Sequence, residues 1–325
     1  MNPGEKRPIY QSRLFKQILV IGFLALFFII SNAIVGGKIL TWVNIRSILM
    51  TSVFSIIVAV GLTFNNAAGV VDLSVGASII LACSFSSIVV QDFNFGYAGL
   101  IIVSLVVCIL CEIITYSLIV FLKLPAWIAG LCMAMIYEAI ATVFMLGRVE
   151  TSGTSIIYLK VCRALGRFPG IFVVAAVVLV IGYFLYNKTS FSMNIRAMGS
   201  NSAVSEAVGI GRIKTMFTAA LLAGCMFGIA AVVQLSYVGQ ITPQNGLGSL
   251  STIFKPLATT LLAGSFSRIF NRMIGVALSA IFIASLFNVL TMLGVPSGTG
   301  QEITLGLSVI LCGALSNMGN QKVVK

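Results

Sequence analysis

The chain has 325 residues, of which 59% are hydrophobic and 9% charged, with a mean hydropathy of +1.09. A soluble globular protein carries about 25% charged residues, which excludes an aqueous fold, and the lack of any basic run excludes nucleic acid as the meaning of a net charge of +12. With no histidine and no Walker A loop, the chain has no Ser-His or Cys-His pair and cannot hydrolyse ATP alone.

Apolar runs long enough to cross a bilayer, about 20 residues each, recur along the whole length, so the fold class is all-α and polytopic. Residues 1–16 hold Lys6, Arg7, Arg13 and Lys16 and read as a cytoplasmic tail. The run 17–35 resembles a signal peptide, with Ser31-Asn32-Ala33 as its cleavage site, but its length is that of a full span and it reads as an uncleaved first helix. About ten transmembrane helices follow in order: 17–35, 46–64, 73–91, 97–122, 125–146, 169–187, 213–236, 250–265, 271–293 and 302–318. An even count places both termini inside, with Lys322 and Lys325 in a cytoplasmic tail at 319–325. The loops at 187–212 and 266–272, with Lys188, Arg196, Arg212, Arg268 and Arg272, then also fall inside. The loop 147–168 dissents, since it would lie outside yet carries Arg148, Lys160, Arg163 and Arg167.

The helices divide into two groups of five about that loop, and an odd number per half makes an inverted repeat. A short echo supports it: Gly69-Val-Val-Asp72-Leu73-Ser74 opens the third helix and Gly246-Leu-Gly-Ser249-Leu250-Ser251 the eighth. Cys108 and Cys111 form a C-x-x-C in mid-helix, where, without histidine, they read as small buried hydrophobes.

Polar residues interrupt this apolar pattern at NNAAGVVDLSVGAS, residues 65–78. Asn66 and Gly69 are placed to end one helix and Asp72 to cap the next. The flanking valines put the interruption at some depth in the membrane, where irregular backbone survives only if protein buries it or water reaches it. Asn65, Asn66, Asp72, Ser74 and Gly76 are therefore candidates for a substrate pathway. Glu112 and Glu138 lie within helices and are either proton relays or hydrogen-bonded structural carboxyls. Pro256 of Lys255-Pro256 is expected to break the eighth helix. Residues 199–210, within a cytoplasmic loop, have the small residues and caps (Asn201 or Ser202) of a short helix, either solvated or docked on a partner.

This last stretch resembles the cytoplasmic coupling segment of the permease subunits of ribose-type ABC importers, a family also serving galactose, xylose and autoinducer-2. Ala197, Gly199, Asn201, Gly209 and Ile210 match its pattern, with Lys214 downstream. Asp72-Leu73-Ser74-Val75-Gly76 reproduces the core of its second hallmark, and Leu124-Pro125, Arg272 to Gly275 and Asn288 to Val295 follow in order. The chain departs from the pattern at Ala67 to Val71, at Phe254 or Lys255, and at Leu262-Ala263.

The resemblance implies a permease domain over 17–318, with a coupling segment at about 197–214. It implies ATPase-coupling roles for Gly199, Asn201, Ser205, Glu206, Gly209 and Ile210. The partners it implies are separate ABC ATPase subunits, an extracytoplasmic solute-binding protein, and a second permease copy or paralogue. The setting is the bacterial cytoplasmic membrane, with the lipid bilayer as surroundings and no cofactor, metal or nucleic acid. The competing readings are a nucleoside or branched-chain amino acid ABC permease and an ion-coupled secondary transporter.

Overall fold

The computed structural model describes residues 13–149, 157–158, 161–267, 269–296 and 299–318. The expected tails, 1–12 of the first and all of 319–325, lie outside the described residues, as do Lys160 and Arg268. The expected ten helices are all present: α1 (Arg13–Ile34), α2 (Trp42–Ala67), α3 (Val75–Asp92), α4 (Gly96–Phe121), α5 (Ala126–Val149), α6 (Gly170–Lys188), α9 (Arg212–Val238), α10 (Leu250–Phe266), α11 (Arg272–Met292) and α12 (Thr299–Met318). Eight of them are long and apolar enough to span a membrane by length and composition. The other two are α10, at 17 residues, and α12, whose apolar stretch is Gly300–Leu311.

Two further helices, α7 (Ser190–Ser200) and α8 (Ser202–Ala207), occupy the loop after α6. α7 was not expected, since its sequence SFSMNIRAMGS is only weakly apolar. Tertiary packing decides it: Ile195 and Met198 lie on one face, buried in a cluster with Val70, Tyr116 and Met216. Thr189 caps its start, accepting from the Ser192 N–H at 3.4 Å.

The described residues form two compact units, one central in the sequence, within residues 53–260, and a second within residues 1–52 and 261–325. The central unit draws helices from both sequence halves. At its heart α3 touches α4, α5 and α9, and its small residues (Gly76, Ala77, Ser78, Ala82, Ser86, Ser87) are all buried. Cys108 and Cys111 are buried, with Cys108 Sγ donating to the Ser78 carbonyl of α3 at 3.8 Å.

α4 and α9 approach most closely through a G-x-x-x-G on α9. A Cβ on Gly224 would lie 2.8 Å from Ile109 Cα, and one on Gly228 2.7 Å from Leu105 Cα. In lipid, where apolar side chains gain nothing by leaving the solvent, such backbone contact is what holds helices together.

The basic loop after α5 is tethered to the end of α9. Ile157 and Tyr158 pair antiparallel with Ile241 and Gln240. Arg163 Nη2 donates to the carbonyls of Tyr237 at 2.8 Å and Val238 at 3.3 Å. This explains part of the dissent from charge-based topology: the Arg163 cation serves the carbonyl-rich C-terminus of α9, where a positive charge is favoured.

α10 runs unbroken through Pro256, against the sequence expectation. The Thr260 hydroxyl donates to the Pro256 carbonyl at 2.8 Å, one turn on.

In the second unit α1 packs on α11, with Phe27 and Phe282 ring centroids 4.9 Å apart. Asn44 and Asn288 exchange reciprocal amide hydrogen bonds, both 3.0 Å. Ile39, Ile48 and Val289 form a small core beside them.

Gly228→Val should force α4 and α9 apart and lower stability by about 1–3 kcal/mol, the usual range for overpacking. Gly306→Ala, where a Cβ meets nothing within 4 Å, should be neutral or mildly stabilising. Thermal unfolding of the two purified variants in one detergent checks this. Equal midpoints would refute the close-contact account.

Candidate functional site

The interruption after α2 is built from a helix end and a helix start that share one short segment. α2 extends to Ala67, so Asn65 and Asn66 belong to its last turn. Gly69, at φ +76°, reverses the chain. Its N–H donates to the Asn66 carbonyl at 3.1 Å and that of Val70 to Asn65 at 2.9 Å, the paired bonds of a Schellman ending. Asn66 and Gly69 therefore end the helix as expected.

Asp72 differs from expectation. α3 begins at Val75, and the position before it belongs to Ser74, whose side chain makes no capping bond. Asp72 Oδ1 accepts from the Ser74 N–H at 2.7 Å, an Asx turn leading into the helix. The carboxylate keeps its place as acceptor at the opening of α3 but is not the N-cap.

Of the expected pathway residues, Asn65, Asp72 and Ser74 converge in one buried polar cluster, at 0%, 1% and 1% exposure. Asn65 Nδ2 donates to Glu112 Oε2 at 3.5 Å, and the Tyr116 hydroxyl donates to Asn65 Oδ1 at 2.9 Å. Ser74 and Thr115 hydroxyls lie 3.4 Å apart, as do those of Thr115 and Tyr137. Tyr137 donates to the Cys111 carbonyl at 2.8 Å. The cluster thus joins α2, the break, α4 and α5. Asn66 is half-buried at the helix end. Gly76 serves packing: a Cβ there would collide with the Ser249 carbonyl at the start of α10.

Thr115, Tyr116 and Tyr137 were missed by sequence reasoning. Glu112, Thr115 and Tyr116 stand at i, i+3 and i+4 on α4, and that one-face spacing was the available signal.

Glu138 has a different place. Its Oε2 accepts from the Leu247 N–H at 2.9 Å and its Oε1 from the Ser249 N–H at 2.8 Å. Both donors precede α10, so a carboxylate from α5 satisfies the opening of that helix as Asp72 does for α3. Of the two readings left open for Glu138, the hydrogen-bonded structural carboxyl is the observed one.

The expected helix within 199–210 is α8. Asn201 caps it, accepting from the Val204 N–H at 3.1 Å. Its end repeats the Schellman geometry: Gly209, at φ +87°, donates to Glu206 and Ile210 donates to Ser205, both at 3.0 Å. Among the expected coupling residues Asn201, Glu206 and Gly209 are exposed, whereas Ser205 is buried and Ile210 packs on the core beside Met216. Gly199 presses on the Ala67 carbonyl, where no side chain would fit, so it contacts the end of α2. Two exposed apolar residues went unremarked in the sequence, Val204 at 58% and Val208 at 72%. A cleft of about 520 Å³ lies between this segment and the break, lined by Gly69, Val70, Asn201 and Arg212 among others.

A family model described as "Branched-chain amino acid transport system / permease component" matches residues 44–315. Three relatives illustrate the similarity. The chain is 26% identical over 322 residues to the ribose import permease protein RbsC of Escherichia coli (strain K12), covering 96% of this chain and 97% of that one. It is 29% identical over 301 residues to the RbsC of Bacillus subtilis (strain 168), covering 89% of each. It is 26% identical over 244 residues to the autoinducer 2 import system permease protein LsrC of Shigella flexneri, covering 74% and 70%. No solved structure matches the chain.

Two substitution series test the helix openings. Asp72→Asn retains an acceptor for the Ser74 N–H, whereas Asp72→Leu orphans a buried donor at about 1–3 kcal/mol; equal unfolding midpoints would refute the role of acceptor. Glu138→Ala orphans two backbone donors and should lose more stability than Glu138→Gln, which keeps one acceptor. The same thermal assay reads both series, and a Glu138→Ala midpoint at the wild-type value would remove Glu138 from the account.

Proposed function

Because the chain belongs to the family of branched-chain amino acid transport system permease components, we propose that it is the membrane permease subunit of an ATP-binding-cassette importer for a sugar or sugar-like solute. It is a multi-pass membrane protein. ATP hydrolysis falls to a separate ATPase pair, an extracytoplasmic binding protein delivers the solute, and a second permease copy or paralogue completes the pathway. The location is the bacterial cytoplasmic membrane, with both ends of the chain cytoplasmic. The solute class rests on relatives whose names specify ribose and autoinducer-2 import.

The observation that carries the reading is the seat of α8. It is a short helix closed at both ends, exposing Val204, Glu206 and Val208, and it adjoins α7, whose last residues rest through Gly199 on the end of α2. An ATPase that grips α8 would push on the break between α2 and α3 through backbone, with little slack. That is how rigid-body gating uses a small docked element. The contact of Gly76 with Ser249, which brings the openings of α3 and α10 together, supports an inverted repeat of two five-helix halves.

A second reading, a branched-chain amino acid permease, is favoured by the family's own description. The ion-coupled alternative is weakened because Glu138, one of its two relay candidates, is occupied by backbone donors.

Mild-detergent extraction of the tagged chain should recover an ABC ATPase in near-equal amount, identified by mass spectrometry; recovery of the chain alone would overturn the importer reading. In reconstituted vesicles with that ATPase, Glu206→Lys and Gly209→Trp should lower ATP-driven uptake about tenfold, or ~1.4 kcal/mol of coupling, with normal insertion. Undiminished uptake in both variants would remove α8 from the coupling role.

A further inference from the structure

Asp72 and Glu112 meet inside the central unit, where each is almost wholly unexposed, at 1% and 0%. Both belong to one buried cluster, Asp72 through Ser74, which lies beside Thr115 of α4, and Glu112 through Asn65. Yet Asp72 Oδ2 and Glu112 Oε1 are both buried without a donor. The other oxygens are occupied: Asp72 Oδ1 by the Ser74 N–H at 2.7 Å and Glu112 Oε2 by Asn65 Nδ2 at 3.5 Å. The orientation of Asn65 is set by Tyr116, which donates to its Oδ1 at 2.9 Å and leaves Nδ2 for Glu112.

Each of these buried acceptors lacks a donor, and two carboxylates in one cluster repel one another, the more so in a low-dielectric interior. The titratable groups facing the pair are Cys108, Cys111, Tyr116 and Tyr137, neutral in their ordinary state, so none supplies a compensating positive charge. A single hydrogen between the two orphan oxygens removes both deficits at once.

We propose that Asp72 and Glu112 form a buried one-proton site, in which Glu112 Oε1–H donates to Asp72 Oδ2 and the pair carries one negative charge. The charge belongs on Asp72, because it accepts the Ser74 N–H and stands at the positive end of the α3 dipole. The hydrogen belongs on Glu112, whose other oxygen has only a long amide contact. Two free oxygens are too few for a hard metal cation, which takes six or more oxygen ligands. The bond ties α4 to the break between α2 and α3, the same break on which Gly199 rests. The site is a property of the chain itself and needs neither the solute nor the ATPase, so its failure would leave the importer reading intact.

Infrared difference spectra of the full chain in lipid nanodiscs, in H₂O and D₂O, read the hydrogen directly. The wild type should show the isotope-sensitive C=O stretch of a protonated, hydrogen-bonded carboxyl, and Glu112→Gln should lose it. Glutamine can donate to Asp72 and accept from Asn65, so this variant should keep its unfolding midpoint. Glu112→Leu, which can do neither, should fall by about 5 °C or more. A wild type without the band, a band that survives in Glu112→Gln, or wild-type stability that tracks Na⁺ or K⁺ concentration would each overturn the site. The wild-type isotope shift alone decides the matter if either variant fails to fold.

Discussion

Every backbone N–H and C=O within a bilayer must find a partner inside the protein, and the central unit is organised around two places where that rule is strained. One is the segment between α2 and α3, and the other precedes α10. Each leaves N–H groups without helical acceptors, and each is supplied by a carboxylate: Asp72 from its own segment, Glu138 from α5. Two of the chain's eight acids, Asp72 and Glu138, thus stand where free backbone donors are.

Packing follows from the same two openings. Gly76 has no room for a side chain because the start of α10 lies against it, and Gly199 has none because the end of α2 does. A line of close backbone contacts therefore runs from α7 and α8, through the end of α2, to the start of α3 and on to the start of α10. Flexible side chains absorb displacement, whereas backbone in contact with backbone transmits it.

The helices flanking the break and the two short helices after α6 answer to different forces. α2 and α3 are held by small buried residues and hydrogen-bonded hydroxyls, as lipid-embedded helices are. α7 and α8 rely on side-chain caps, a Schellman end on α8 and a single buried face. Arg163 likewise serves a helix end: its guanidinium donates to the last carbonyls of α9.

Apolar run length determined the all-α class and ten of the twelve described helices, because a bilayer demands about 20 apolar residues whatever their partners. Local chemistry likewise determined the helix end at Gly69 and narrowed the cap of α8 to Asn201 or Ser202, since each depends on a few neighbouring residues. What the sequence left open was every question of which side faces what. Whether Glu138 was relay or clamp, whether Gly199 faced outward or toward α2, and whether α7 existed at all depended on groups far away in the chain. The pairing of Asp72 with Glu112 belongs to the same class. Forty residues of chain separate the two carboxyls, and only the packing of α4 against α3 brings them together. Local periodicity records which residues avoid water, and tertiary contact alone decides which polar groups must share a hydrogen once water is gone.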